Sequence, residues 1–311
     1  MKAATARTYG PPEVVRLETL PDPVPGPGQV LVRVAAFGVT RGDARIRGLE
    51  VPAGMGPLVR AVFGFTRPRR VVPGRDYAGA VAALGPGVTG WDVGDPVFGI
   101  TDGMTMGAGA ERVAVKARGL IFRRPDSLTA EEAAGFLFGG LTAADFLIDQ
   151  MAVRAGERVL VIGASGAVGG AAVQIAAHLG ARVTARRFGA QEVADYAQGL
   201  PPGPFDAILD TPGALPWPAA RALLATGGRL GMVTAGLGAQ LGATLRPRRG
   251  GLRLCAGMVR ESRAAVGRLL AILAAGGYRP DLGAVLPMSE VVQAHRLAGS
   301  GHKRGNVVVR T

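Results

Sequence analysis

The sequence has one cysteine, Cys255, among its 311 residues. No disulfide can form within such a chain, and a reducing compartment, the cytoplasm, is the location that this indicates. Apolar runs are also short. None reaches the roughly 18 residues of a membrane helix, so we expect no membrane span. The opening MKAATARTYG has no apolar core, so we do not expect a signal peptide.

Aromatic and acidic residues are scarce as well. Aromatic residues make up 5% of the chain, and 23 acidic residues face 36 Lys and Arg, which gives a net charge of +13. The basic residues are scattered, few aromatic rings could stack on bases, and no nucleic-acid motif occurs, so we expect no nucleic-acid partner. The positive charge indicates either solubility or an anionic partner such as a nucleotide, an acyl-CoA or an acidic carrier protein.

The length fits two domains, and the sequence pattern changes between them. Residues 1–120 contain short β-type runs between Pro/Gly turns, among them a strand pair at 79–88, which predicts a compact barrel-like fold. A helix is predicted at 127–148. From there helix and strand alternate, as in a parallel, doubly wound sheet. The final GNVVVR (305–310) is predicted to be a strand that returns to the first domain.

The strongest local pattern is VLVIGASGAVGGAAVQIAAHLGA (159–181). An apolar strand runs into Gly163, Gly166 and Gly169, and an amphipathic helix follows. Small residues let the backbone approach a pyrophosphate, and the free N–H groups of the helix start point at it. The strand before and the helix after are the context that this motif requires. The pattern therefore predicts dinucleotide binding, and the alternative is an empty structural turn.

Nearly the whole chain resembles the zinc-independent, quinone-oxidoreductase-like branch of the medium-chain dehydrogenase/reductase superfamily. The segments that carry the resemblance are MKA…RIRG (1–48), VVPGRDYAGAVAALGPGVTGWDVGDPVFG (71–99), GGLTAADFL (139–147), GASGAVG (163–169) and AHRLAGSGHKRGNVVV (294–309). The resemblance implies an α/β chain with two domains. These are a GroES-like β-barrel-type catalytic domain (1–123 and 277–311) and a Rossmann doubly wound parallel sheet (124–276). It also implies a cleft between the domains and a homodimer.

The same resemblance bears on metal binding. Zinc-dependent relatives place Cys at the position of Thr40 and His-Glu at the positions of Arg75 and Asp76. A structural four-Cys loop is impossible with one cysteine, and the three histidines lie in separate contexts, whereas zinc prefers thiolate and imidazole ligands. We expect no metal. A simple carbonyl substrate would then lack its Lewis acid, so hydride transfer suits a conjugated acceptor such as a quinone, an enal or an enone.

The resemblance implies nicotinamide contacts from Thr40 and Thr142, whose alternatives are a strand-end threonine and a helical threonine that bonds its own backbone. Further implied cofactor contacts are Gly163, Ser165, Gly166, Ala167, Val168 and Val233. No catalytic residue stands out. The polar candidates are Thr40, Asp43 and Arg47, and a structural ion pair is the alternative for the last two. Tyr77 suits either core packing or proton donation.

The segment after the second Rossmann strand, RRFGAQEVADYAQGLPPGP (186–204), is shorter than in the relatives. We predict one short helix at 190–199 and an edge strand that is lost or vestigial. Arg186 and Arg187 come before any acid, and cations at this position accept the 2′-phosphate of NADP. The prediction is therefore NADP(H). The alternative is that both arginines are solvated and the adenosine pocket is open.

The leading hypothesis is an NADPH-dependent, zinc-free oxidoreductase that reduces a quinone or an α,β-unsaturated carbonyl compound. A second hypothesis keeps the fold but assigns a non-redox tailoring step with weak or no cofactor binding. A third is a catalytically silent binding or scaffold protein. The expected partner is a small molecule, together with a second copy of the chain.

Overall fold

A computed structural model describes residues 1–51, 53–102, 105–185, 201–245, 248–249, 251–301 and 303–311. The chain divides into two compact units. Unit 1 comprises Met1–Val51, Gly56–Leu137 and Asp281–Thr311, and unit 2 comprises Pro52–Met55 and Phe138–Pro280. The domain boundaries drawn from the sequence at 123/124 and 276/277 stay a prediction.

The described strands, in chain order, are β1 (Lys2–Ala6), β2 (Val15–Thr19), β3 (Gln29–Val39), β4 (Asp76–Leu84), β5 (Pro96–Ile100), β6 (Arg112–Lys116), β7 (Ile121–Arg123), β8 (Arg158–Ile162), β9 (Arg182–Thr184), β10 (Phe205–Asp210), β11 (Leu224–Met232), β12 (Arg248–Arg249), β13 (Leu252–Ala256), β14 (Leu282–Pro287) and β15 (Asn306–Arg310). The described α-helices are α1 (Arg41–Gly48), α2 (Gly56–Phe63), α3 (Ala130–Ala144), α4 (Ala167–His178), α5 (Trp217–Leu223), α6 (Leu237–Leu245), α7 (Arg263–Ala274) and α8 (Val291–Gly299). Single 3₁₀ turns lie at Pro12–Val14 and Met288–Glu290, and a π-helical turn lies at Asp145–Gln150. None of the described helices is both long and apolar enough to cross a membrane.

Unit 1 is built on a sheet with the strand order β14-β15-β3-β4-β5-β7, in which β6 also pairs with β3. The long strand β3 buries Val32 and Val34 while Arg33 between them is exposed, as the two-residue period of a strand requires. The last strand, β15, is antiparallel to β3 and places Val307 opposite Val39. The end of the sequence therefore returns to the first unit, as predicted.

Unit 2 contains a six-stranded sheet with the order β12-β13-β11-β10-β8-β9. The strands from β13 to β9 pair in parallel, and β12 is antiparallel to β13. Val159 to Ile162 of β8 are all buried, as expected for a strand covered on both faces. The predicted Rossmann-type parallel sheet and the GroES-like first unit are both confirmed.

Two local predictions differ from the structure. The predicted strand pair at 79–88 is a single strand, because β4 ends at Leu84 and the next described strand begins at Pro96. The turn after β4 packs on another turn instead of on a returning strand: Gly28 N–H donates to Pro86 O over 2.9 Å. The predicted helix at 127–148 changes from α-helical to π-helical at Asp145.

Arg186, Arg187 and the helix predicted at 190–199 lie outside the described residues. The described chain resumes before β10, which pairs directly with β8 through Ala207 and Val159. In the described part of this sheet, β9 forms one edge and β12 the other.

Candidate functional site

The glycine turn joins β8 to α4 with the geometry that the sequence predicts. Gly163 has φ +79°, a left-handed conformation that favours glycine. Gly169 lies in the first turn of α4, where a Cβ atom would come within 2.2 Å of Gly163 O. Side chains are thus excluded where the strand backbone passes closest to the helix, and this packing keeps the turn tight.

The first turn of α4 has no side-chain cap. Gly166 occupies the N-cap position and provides no side-chain acceptor for the amides that follow it. The N–H groups at a helix start have no partner within the helix and carry partial positive charge, so they suit an anion. Ala167 is buried, Val168 is half-buried, and Ser165 is exposed beside them. These residues, with Gly163 and Gly166, form one continuous turn in unit 2.

The carboxyl ends of β8, β10 and β11 lie side by side. Asp210 pairs with Ile162 on one side and with Met232 on the other, so the residues after each strand meet at one sheet edge. Val233 lies there, and its N–H donates to Asp210 O over 3.1 Å. In open α/β sheets, ligands bind outside the carboxyl ends of the strands. The structure therefore brings Val233 and the glycine turn to the same edge.

The carboxylate of Asp210 is engaged by the loop that follows it. It accepts the backbone N–H groups of Gly213 and Leu215 at 3.0 and 2.8 Å, and that of Ala214 at 3.2 Å. With its oxygens occupied by three amides, this buried acid organises the loop after β10.

Thr142 lies on α3, whose Gly139 approaches the start of α4. A Cβ on Gly139 would lie 2.6 Å from Ala167 O, so this helix packs closely against the glycine turn. The Thr142 hydroxyl is buried and donates to Phe138 O over 2.7 Å. Its single proton is therefore directed at its own helix, and the oxygen keeps capacity to accept a hydrogen bond.

In unit 1, Thr40 follows the end of β3 and caps α1. Its hydroxyl donates to Asp43 Oδ2 over 2.7 Å and accepts from the Asp43 backbone N–H over 3.3 Å. The same carboxylate oxygen accepts the Thr40 N–H over 2.8 Å. This is a capping box between two buried side chains. Like Thr142, Thr40 keeps acceptor capacity but has no proton left to donate.

Arg47 lies on the same helix, and its side chain contacts Gly10 and His295. Its Nε donates to Gly10 O over 3.1 Å, and its Nη1 lies 3.2 Å from His295 Nδ1. Burial lowers the pKa of Arg47. Burial also lowers the pKa of His295 to about 4, with the nearby Arg47 charge acting in the same direction and Asp43 opposing it. The structure thus shows Arg47 in a buried contact between α1 and α8.

Lys303 is a group that sequence reasoning missed. It is half-buried in the loop between α8 and β15, and burial lowers its pKa to about 8. Asp43 raises this pKa and Arg41 lowers it, so the amine lies among the charges of α1. Arg41 in turn donates to Gly299 O at the end of α8. The sequence feature that could have drawn attention to Lys303 is that lysine is rare in this chain, which has only Lys2, Lys116 and Lys303.

Tyr77 on β4 is completely buried in unit 1. Among the described residues, its hydroxyl has no hydrogen-bond partner. Burial raises its pKa, which keeps the phenol protonated. Its ring belongs to the apolar core of the unit, which agrees with the packing interpretation of this residue.

The donor groups of the described residues do not fit a zinc site. No cluster of three or more His, Cys, Asp or Glu that could hold a metal occurs among them. Cys255 is buried in unit 2 and its thiol contacts Gln150 O. Nδ1 of His295 is taken by Arg47, and His178 is exposed at the end of α4. His302 lies outside the described residues.

Comparison with known proteins gives matches to two families. The family described as "Alcohol dehydrogenase GroES-like domain" matches residues 26–126, and the family described as "Zinc-binding dehydrogenase" matches residues 188–309. The chain is also 35% identical to the quinone oxidoreductase of Sus scrofa over 184 residues, 59% of this chain and 51% of that protein. That match thus spans about half the length of the curated relative.

Two solved structures are similar over the whole chain. The quinone oxidoreductase from Coxiella burnetii has a TM-score of 0.84 and 25% identity, and the match covers 100% of this chain and 99% of that one. A mycobacterial protein solved in complex with NADPH has a TM-score of 0.78 and 27% identity, and the match covers 100% of both chains.

Proposed function

The chain belongs to the medium-chain dehydrogenase/reductase superfamily and has quinone oxidoreductases among its relatives, and from this we propose an NADPH-dependent reductase of quinones or α,β-unsaturated carbonyl compounds. The observation that carries the proposal is the glycine turn. Gly163 and Gly169 leave no room for side chains there, and the uncapped start of α4 suits a pyrophosphate. The residues present therefore fit a dinucleotide.

The residues that would hold the cofactor are Gly163, Ser165, Gly166, Ala167, Val168 and Val233 in unit 2. The bound nicotinamide would supply a hydride. Thr40 and Thr142 each keep an acceptor oxygen, because each hydroxyl proton is used inside the protein. We propose that each of these oxygens serves as an acceptor for a carboxamide N–H group, the role that the family resemblance implies for it.

The preference for NADPH is proposed from Arg186 and Arg187, since guanidinium groups match a 2′-phosphate and no acid stands before Glu192. The mycobacterial relative was solved with NADPH, which supports the same choice. A homodimer and a cytoplasmic location are proposed on the family resemblance and on the single cysteine.

We also propose that the reaction proceeds without zinc, although one matching family is described as zinc-binding. Thr40 stands where the zinc-dependent relatives carry a thiolate, and its hydroxyl is engaged with Asp43. A quinone or an enone delocalises the charge that hydride transfer creates, so it needs no metal to polarise a carbonyl. The proposed substrate class follows from this chemistry.

The test is a titration of the purified protein with NADPH and with NADH, followed by nicotinamide fluorescence. We expect tight binding of NADPH and weaker binding of NADH, and Arg186→Ala with Arg187→Ala should remove the difference. Exposed Arg154 in the same unit supplies a matched control, Arg154→Ala. If neither cofactor binds, the redox proposal is wrong. If both bind equally to the wild type, only the NADPH preference is wrong.

A further inference from the structure

A groove on unit 1 is lined by arginines and by none of the residues assigned above to the cofactor. Its volume is about 650 Å³. Its walls carry Arg33, Arg112, Arg124 and Arg310, and Glu111 is the acid among the described lining residues. We call this feature the arginine groove.

The floor of the groove is built from small residues where β3 bulges against β4. The register shifts between Val34 and Ala36, so Ala35 lacks a direct partner on β4. Gly79, opposite Val34, has no space for a side chain, because a Cβ would lie 1.9 Å from Arg33 O. Ala35, Gly79 and Ala80 thus each contribute a methyl group or less to the lining of the groove.

Two of the four arginines are paired at the rim. Arg112 Nη1 lies 2.6 Å from Asp22 Oδ2, and Arg310 Nε lies 2.6 Å from Glu131 Oε1. A guanidinium has five N–H donors in a planar fork. Each of these pairs therefore holds its arginine in place and leaves further donors for a ligand.

The other two arginines carry charge that no described carboxylate neutralises. Arg33 is exposed and makes no hydrogen bond or ion pair through its side chain with the described chain. Arg124 donates to the Leu128 carbonyl and makes no ion pair with a described residue. Glu111, in contrast, already accepts the Lys2 N–H over 2.7 Å. Arg33 and Arg124 are therefore the two arginines of the groove that have no ion-pair partner among the described residues.

We propose that the arginine groove binds a small molecule of nucleotide size that carries two or more phosphate groups. Arginine forks match phosphate oxygens in pairs, which a lysine cannot do with the same geometry. Small-molecule sites usually measure about 300–1,000 Å³. The volume of the groove lies within this range, so its size suits an organic polyphosphate better than a single inorganic anion.

The experiment is isothermal titration of the full chain with inorganic tripolyphosphate and with coenzyme A, in the wild type and in Gly169→Ala, whose added Cβ would lie 2.2 Å from Gly163 O and disturb the glycine turn alone. Arg33→Gln is the cleanest variant, because the Arg33 side chain makes no hydrogen bond or ion pair with the described residues. Arg33→Gln with Arg310→Gln removes a second donor group. Arg118→Gln is the control, because Arg118 is exposed on the same unit and does not line the groove.

We expect the double variant to raise the Kd of the phosphate ligand at least tenfold, the single variant to raise it less, and the control to leave it unchanged. Binding should also weaken as salt is added, because the contacts are charged and exposed. Binding of coenzyme A alone would indicate a nucleotide ligand, and binding of both probes would indicate that phosphate chemistry suffices. Either result supports the proposal.

Three results would overturn it. The first is that neither probe binds the wild type, or that the probes bind the wild type and the double variant with equal affinity. The second is loss of probe binding in Gly169→Ala, which would place the probes at the glycine turn. The third is tighter binding of a peptide of ten glutamates than of either probe. This result would indicate that the groove binds acidic proteins.

Discussion

Arg47 Nη1 lies 3.2 Å from Nδ1 of His295, and both side chains are almost completely buried. Arginine has no acceptor atom, so it is the donor in this contact and His295 Nδ1 is the acceptor. The imidazole must therefore be neutral and carry its proton on Nε2. This pair connects α1 to α8 within unit 1 and accounts structurally for Arg47, which sequence reasoning had placed among the catalytic candidates.

Stability should depend on pH through His295. Its pKa falls from about 6.5 to about 4 on folding. Between pH 6.5 and pH 4, His295 is therefore protonated in the unfolded chain and neutral in the folded chain. The free energy of unfolding should therefore fall as pH drops from 6.5 to 4, by up to about 1.4 kcal/mol per pH unit. Urea unfolding at several pH values measures this. The variant His295→Asn should show a flatter profile, and an identical profile would contradict the assignment.

The same pair predicts a difference between two substitutions. His295→Leu leaves Arg47 Nη1 buried without its acceptor and should cost about 1–3 kcal/mol at pH 7. His295→Asn keeps an acceptor oxygen close to the position of Nδ1 and should cost less. Thermal unfolding of both variants is the check. Equal losses would mean that ring packing matters and the hydrogen bond does not.

Thr40→Val should affect both stability and cofactor binding. Loss of the cap on α1 should lower the free energy of unfolding by about 0.5–2 kcal/mol. If Thr40 also accepts from the carboxamide, the Kd of NADPH should rise in the same variant, whereas Thr40→Ser should preserve both properties. A less stable variant with an unchanged Kd would show that Thr40 is only a cap.

Gly169→Ala should abolish NADPH binding, because its Cβ would lie 2.2 Å from Gly163 O and would push the helix start away from the turn. Gly267→Ala is the matched control. Gly267 lies in α7 with nothing within 4 Å of its added Cβ, so this substitution should stabilise the protein by about 0.5–1 kcal/mol. Fluorescence titration and thermal unfolding measure the two effects. Wild-type affinity in Gly169→Ala would exclude the turn as the cofactor cradle.

Lys303 should react with amine reagents at lower pH than the other two lysines. Its pKa of about 8 leaves a large neutral fraction at pH 8, whereas an exposed lysine remains charged up to about pH 10. Acetic anhydride labelling from pH 7 to 10, read by mass spectrometry, compares it directly with Lys116, which is exposed. Matching pH profiles at the two residues would refute the lowered pKa.

The parts of the fold with short-range signals could be predicted from sequence. The strand, glycines and helix at 159–181 follow one another without a gap, and the valines of the last strand suit only a buried strand. The engagement of Thr40 with Asp43 was less visible, since a polar pair three residues apart serves equally as a cap or as a site. The environment of Lys303 arises from residues more than 250 positions away, and no local pattern reports such a contact.

Deuterium transfer shows directly whether the chain moves a hydride from NADPH to a conjugated acceptor. NADPH carrying deuterium on both C4 positions would be incubated with the protein and a panel of quinones and enones, and the products analysed by mass spectrometry. We expect one deuterium on the β-carbon of a reduced enone, with NADPH consumed in equal amount and no need for added zinc. If NADPH binds but no quinone in the panel oxidises it and no enone gains deuterium, the proposed reaction is contradicted.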